Sequence, residues 1–128
     1  MNHIKRVLII DDDNTCVYLA KLVLKSLNMD EFTESAKNGI EGLAKLKQAY
    51  ENDVLPDLIL LDIKMPLMDG FAFLKEVEKQ EHAGYNKVRI VLLSSSQNPW
   101  EIERAKSYRA AAFLHKPLTK EKLQSILA

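Results

Sequence analysis

The sequence predicts a three-layer α/β domain built on a doubly wound, all-parallel sheet of five strands in the order 2-1-3-4-5. Short apolar runs alternate with longer amphipathic stretches along the whole 128 residues, the pattern of repeated strand–helix units. The runs at 7–10 and 58–61 are apolar at every position, as expected for strands covered on both faces. Four of the runs then change abruptly to polar side chains. Each change falls where a parallel strand reaches the carboxyl edge of its sheet, the edge at which ligands bind in this class of fold.

Taken in order, the expected elements are a strand near 5–11, helix 14–28, strand 31–36, helix 39–50, strand 57–62, helix 70–80, strand 88–93, helix 99–108, strand 111–115 and helix 119–127. Asp13 or Asn14 can cap the first helix. Met65-Pro66 and Asp69-Gly70 supply turn chemistry after the third strand, before Phe71 opens a helix. Asn98-Pro99 reads as N-cap and first helical residue of the fourth helix. Thr119 can cap the last helix, with Leu118 and Leu123 spaced as a hydrophobic staple and Leu123, Ile126 and Leu127 as its buried stripe. The loops at 51–56 and 81–87 are long, and no function attaches to them. The whole reads as one domain of 1–128, with no room past the last helix for a second.

The polar endings carry the chemistry. The first run ends in Asp11-Asp12-Asp13, and three adjacent carboxylates repel one another unless solvent, a cation or a helix N-terminus relieves them. For Asp11 and Asp12 a hard cation is the better account, and Mg²⁺ suits an open acidic cleft because it takes oxygen ligands and keeps several waters. The third strand ends in Asp62, the fourth apolar run in Ser94-Ser95-Ser96, and the last in His115-Lys116-Pro117. In the predicted strand order Asp12 and Asp62 are neighbours. Carboxylates, hydroxyls and an ammonium on one edge make a small site for Mg²⁺ and a phosphoryl group.

On VLIIDDD, LILLDIKMPLMDG, the Ser94-Ser95 pair after IVLL, and FLHKP, the chain resembles the receiver domains of two-component response regulators, of the chemotaxis-receiver type, and their flavodoxin-like fold. The resemblance implies that Asp62 accepts a phosphoryl group from a phosphohistidine. It implies an acidic pair at Asp11 and Asp12, with Asp12 a direct metal ligand and Asp11 acting mainly through water. The Lys64 backbone carbonyl would complete the protein's share of the metal shell. It further implies the hydroxyl role for Ser94, the ammonium for Lys116 and a cis bond to Pro117 that aims Lys116 inward. The switch aromatic falls on Phe113, whose missing hydroxyl predicts an inward bias or a weak aromatic switch. Lys64 and Ser96 stand at positions that tune autodephosphorylation, and Arg109 stands after the fourth helix where many members of the family have glycine, a departure from their usual left-handed cap.

Composition bounds the remainder. Apolar residues make up 47% and charged residues 28%, ordinary for a soluble globule. Eighteen basic and eighteen acidic residues balance, which argues against direct nucleic-acid binding. One cysteine, Cys16, excludes an internal disulfide, suits the cytoplasm, and reads as core filler. The opening apolar run is too short for a signal peptide, and no membrane span is visible. The expected partners are a sensor histidine kinase or a histidine phosphotransfer protein, and a downstream protein target. Trp100, sharing the polar face of the fourth helix with Glu103, Arg104 and Ser107 opposite Ile102 and Ala105, is the candidate anchor for that target. A homodimer through the fourth helix and fifth strand is allowed by family analogy. Three other readings stand beside this one: a phosphorelay intermediate, a pseudo-receiver that binds without being phosphorylated, and a haloacid-dehalogenase-type phosphohydrolase with Asp11 as nucleophile and Asp13 as acid/base. No enzymatic turnover is expected beyond self-phosphorylation and autodephosphorylation.

Overall fold

The computed structural model describes residues 3–80, 82, 84–108 and 112–127. Five strands, β1 (Arg6–Ile10), β2 (Phe32–Ala36), β3 (Leu58–Asp62), β4 (Arg89–Ser94) and β5 (Ala112–His115), form one parallel sheet in the order β2-β1-β3-β4-β5. The helices are α1 (Asn14–Ser26), α2 (Gly39–Glu51), α3 (Gly70–Gln80), α4 (Pro99–Ala105) and α5 (Lys120–Leu127). This is the predicted architecture, with strand order 2-1-3-4-5.

Alternate residues of the central strands feed two separate cores. Leu8, Ile10, Ile59, Leu61, Ile90 and Leu92 pack with Leu46 of α2, Phe73 and Val77 of α3 and Ala105 of α4. Val7, Ile9, Leu58, Leu60, Val91 and Leu93 pack on the other face with Ala20 and Leu24 of α1 and Leu123 of α5. Because both faces are covered, every residue of β3 is buried, Asp62 included. That explains the missing polar alternation in its sequence.

The helix ends follow their expected chemistry. Asp13, not Asn14, caps α1: its Oδ1 accepts the Thr15 N–H at 2.8 Å. Asn98 Oδ1 accepts the Trp100 N–H at 3.0 Å, with Pro99 opening α4. Thr119 Oγ1 accepts the Lys122 N–H at 3.1 Å, and Leu118 packs in the same core as Leu123. Ile126 and Leu127 are only partly buried, so the inner stripe of α5 is centred on Leu123. Two helices are shorter than the spacing predicts. Residues 106–108 turn rather than continue α4, which leaves Ser107 beyond the helix whose polar face it was expected to share. α1 stops at Ser26, where Leu27 and Asn28 donate back to Leu24 and Lys25 and Asn28 takes a φ of 58°. The expectation for Arg109, and the start of the last strand at residue 111, lie outside the described residues. Among the described residues no helix is long and apolar enough to cross a membrane.

Candidate functional site

The parallel pairing of β1 with β3 aligns Ile10 with Leu61, so the next residues, Asp11 and Asp62, leave the sheet side by side. Asp11 is fixed there by its own backbone, whose N–H donates to the Ala36 carbonyl at 2.9 Å, and by its Oδ1, which accepts the Asp13 N–H at 2.9 Å. Asp12 follows on the rim and is exposed. The three carboxylates each present an oxygen within 4.8 Å of the others. Asp11 and Asp62 are only 4% and 7% exposed, so solvent cannot relieve their repulsion.

Lys116 supplies the compensating charge from two strands away. Its backbone N–H donates to the Ser94 carbonyl at 2.7 Å, tying the end of β5 to the end of β4. The peptide bond to Pro117 is cis. From this anchor the ammonium lies 2.9 Å from Asp11 Oδ2 and 3.2 Å from Asp62 Oδ1. Cys16 Sγ is 3.6 Å from the same nitrogen. Cys16 is therefore a wall of the site rather than remote core filler, although burial pushes its thiol above the ordinary value and so keeps it protonated and unreactive.

One ammonium does not balance three carboxylates. Burial first, and the Asp11 charge second, push the Asp62 carboxyl up to about 6, while Lys116 works in the opposite direction. For Lys116, burial acts to lower the pKa, but the hydrogen bond to Asp11 and the charges of Asp62 and Asp11 outweigh it and hold the ammonium above its ordinary range. The all-oxygen donor set and the uncompensated negative charge fit a hard divalent cation such as Mg²⁺. Asp13 does not belong to this cluster: it is exposed, spent as the α1 cap, and held below the ordinary carboxylate value by the Thr15 N–H. That is the opposite of what an acid/base residue in a phosphohydrolase needs.

The other predicted residues fall around this centre. Ser94 is buried next to it, since Leu93 pairs with Asp62 in register. Its hydroxyl, however, donates to Glu101 Oε1 at 2.5 Å. Ser96 donates its N–H to Ser94 Oγ, and its own hydroxyl accepts the Asn98 N–H, both at 3.0 Å. Lys64 is exposed on the β3–α3 loop. Phe113 is half-buried against the core beneath α2 and α3 and meets the His115 ring edge-on at 5.3 Å. Trp100 is 77% exposed. It lines an open groove of about 570 Å³ with Asp12, Met65, Pro66 and Arg104, so the site and the aromatic share one surface. Arg104 is exposed, as expected of the polar face, and its guanidinium also lies over the Phe71 ring at 4.4 Å.

Reading the sequence alone missed two features. Glu101 gave no signal, because seven residues and a change of element separate it from Ser94. The exposed Tyr18, Leu19 and Leu22 of α1 were hidden by the helical periodicity, which assigns apolar residues to the core.

Comparison with known proteins agrees with this geometry. The response regulator receiver domain family matches residues 7–128. The probable C4-dicarboxylate response regulator DctR of Halalkalibacterium halodurans is 31% identical over 122 residues, which are 95% of this chain and 49% of that protein. The chain thus spans about half the length of this relative, and far smaller shares of the sensor kinases it also matches. Among solved structures, the chemotaxis protein CheY4 of Vibrio cholerae superposes with a TM-score of 0.79 at 30% identity, covering 97% of this chain and 96% of that one. The Mn²⁺-bound response regulator Rcp1 superposes with a TM-score of 0.76 at 26% identity, covering 96% and 88%. With its strand order, its acidic edge and a family match over nearly its full length, the chain belongs to the receiver domains of two-component response regulators.

Proposed function

We propose that Asp62 is the phosphoryl acceptor, taking its group from a phosphohistidine on a sensor kinase or phosphotransfer protein. The observation that carries this is the buried Asp62 carboxylate, with the Lys116 ammonium 3.2 Å from one of its oxygens and two further carboxylates within 4.8 Å. Receiver domains are phospho-accepting signalling modules rather than enzymes in general, and they typically bind Mg²⁺ at an acidic pocket. Asp11, Asp12 and Asp62 would hold the ion here, with the Lys64 carbonyl as the remaining protein ligand. When bound, Mg²⁺ supplies the divalent charge that neutralises phosphoryl oxygens.

In the transfer, an Asp62 oxygen forms the new P–O bond as the P–N bond breaks, and the departing imidazole keeps the electron pair. Such a step depends on in-line placement and charge neutralisation more than on covalent assistance. Asp62 is positioned at a strand end that cannot move without disturbing the sheet. Lys116 neutralises equatorial oxygen charge, and the Ser94 hydroxyl is the neutral donor once it turns toward the group. The Trp100 groove begins at Asp12, which suits a surface whose shape reports the state of Asp62 to a downstream protein. We place this chemistry in the cytoplasm, where sensor kinases present their phosphohistidines.

The test is intact mass after incubation with acetyl phosphate and Mg²⁺. The expected result is a gain of one phosphoryl group in the wild type, dependent on Mg²⁺ and absent in Asp62→Asn. A folded wild type that gains nothing would leave a binding module without phosphorylation as the correct reading.

A further inference from the structure

The proposed reaction needs the Ser94 hydroxyl beside Asp62, yet its proton is committed elsewhere. Ser94 Oγ donates to Glu101 Oε1 at 2.5 Å and accepts the Ser96 N–H at 3.0 Å. A hydroxyl has one proton to donate, so a Ser94 bonded to Glu101 cannot also donate to a phosphoryl oxygen on Asp62. A bond of this length to a carboxylate is of the charge-assisted kind, stronger than a neutral pair. Ser94 is 2% exposed, and water competes poorly for it.

Glu101 lies in the first turn of α4, directly after Trp100. We propose that Glu101 is a positioning residue: it holds Ser94 away from Asp62 in the unphosphorylated protein, and its release when Ser94 turns to a phosphoryl group moves the first turn of α4. This rests on the reading of Asp62 as acceptor. A phosphoryl group carries more charge and three acceptor oxygens, enough to win the Ser94 proton from one carboxylate. Breaking that bond leaves the Glu101 carboxylate without its buried partner, and the turn that carries it relaxes toward solvent. The route does not use Phe113, which has no hydroxyl to gain a bond in an outward position. It would explain how a receiver with a weak aromatic switch still signals at α4. The latch also opposes phosphorylation, because the Ser94–Glu101 bond must be given up to form the modified state.

The experiment is a titration with beryllofluoride, a phosphoryl mimic, in the presence of Mg²⁺, on the wild type, Glu101→Ala, Glu101→Gln, Ser94→Ala and the Ser94→Ala/Glu101→Ala double variant. Binding is read by fluorine NMR and the response of α4 by the fluorescence of Trp100, the only tryptophan in the chain. Glu101→Ala should bind the mimic about tenfold more tightly, the worth of one charged hydrogen bond. Glu101→Gln, which keeps a neutral acceptor, should gain less. On the Ser94→Ala background the Glu101 substitution should change nothing. Without any mimic, Glu101→Ala should already show Trp100 emission shifted toward the saturated wild-type value. Wild-type affinity in Glu101→Ala, or the same gain on the Ser94→Ala background, would overturn the latch while leaving the acceptor reading intact. A wild type that neither binds the mimic nor gains phosphoryl mass would overturn both.

Discussion

Asp62 is the residue at which burial and charge are least balanced, and its titration follows from that. Its carboxyl is raised from 3.8 to about 6, chiefly by burial and then by Asp11. A raised carboxyl pKa means that the folded protein holds this proton more tightly than the unfolded chain does. The stability it contributes is therefore fully present below the ordinary carboxylate value and is lost as pH rises through about 6. In metal-free protein at neutral pH the ionised Asp62 is a net cost, despite its ion pair with Lys116. Asp62→Asn removes the charge and keeps the shape, so it should raise the melting temperature in EDTA at pH 7.5 by about 3 °C. The gap between variant and wild type should close toward pH 4. Melts across that pH range check this, and a gap that stays constant with pH would show that burial does not set the Asp62 proton. The same proton competes with Mg²⁺, whose affinity should fall by up to about tenfold per pH unit below 6.

At the scale of elements, the β3–α3 loop is clamped between two glycines, and this sets where the acidic edge sits. A Cβ on Gly70 would lie 2.6 Å from the Asp62 carbonyl oxygen and 3.0 Å from Ile63 Cα, both backbone atoms that cannot step aside. The Gly70 N–H donates to the Ile63 carbonyl at 2.8 Å, and Asp69 Oδ1 caps α3 through the Ala72 N–H at 2.8 Å. On the far side, Gly39 donates its N–H to the Met68 carbonyl at 3.0 Å, with no room for a side chain against Met68. Gly70→Ala should thus cost about 2 kcal/mol or more, even though alanine favours helices. It should also weaken Mg²⁺ binding, because the loop it displaces follows Asp62 directly. Urea unfolding and a Mg²⁺ titration read the two effects; unchanged Mg²⁺ affinity in a destabilised variant would separate the loop from the site. The Asp69-Gly70 pair was legible as a turn, but the backbone it presses on was not, since sequence spacing carries no cross-element distance. The same limit hid Glu101. Asp11, Asp12, Asp62 and Lys116 were legible because each ends an apolar run, and strand order alone brings such ends together. The length of α4 was not, because residues 106–108 have ordinary helix-forming side chains and only their tertiary setting turns them.

Across the whole molecule the two edges of the sheet have different tasks. The carboxyl edge concentrates unbalanced charge, and the amino edge ties the strands to one another. There, Asp57 Oδ2 accepts the backbone N–H groups of Lys5 and Arg6 at 2.9 and 3.0 Å, and its carbonyl accepts the Arg89 N–H at 3.1 Å, joining β1, β3 and β4. The two long loops, to which the sequence assigned no purpose, approach each other at Leu55 and Gly84, where a Cβ on Gly84 would lie 3.0 Å from Leu55 Cδ1, and the second packs against the end of α2. The Tyr50 ring stacks on His82 with centroids 4.4 Å apart and meets Tyr85 edge-on at 5.7 Å, while Leu55 packs against the same core. The end of α2 and the described part of the second loop thus share one aromatic cluster, to which the loop contributes His82 and Tyr85. Tyr50→Ala should cost about 2–3 kcal/mol through lost ring packing, whereas Tyr50→Phe, which keeps both ring contacts, should cost little. Neither should change the extent of phosphorylation by acetyl phosphate, because the cluster lies at the opposite edge from Asp62. The stability losses of Tyr50→Ala and Gly70→Ala should then add to within about 0.5 kcal/mol, as distant sites with no shared partner do. A larger departure from additivity, or a phosphorylation yield that falls with Tyr50→Ala at a temperature where the variant is folded, would mean that the amino edge takes part in positioning Asp62.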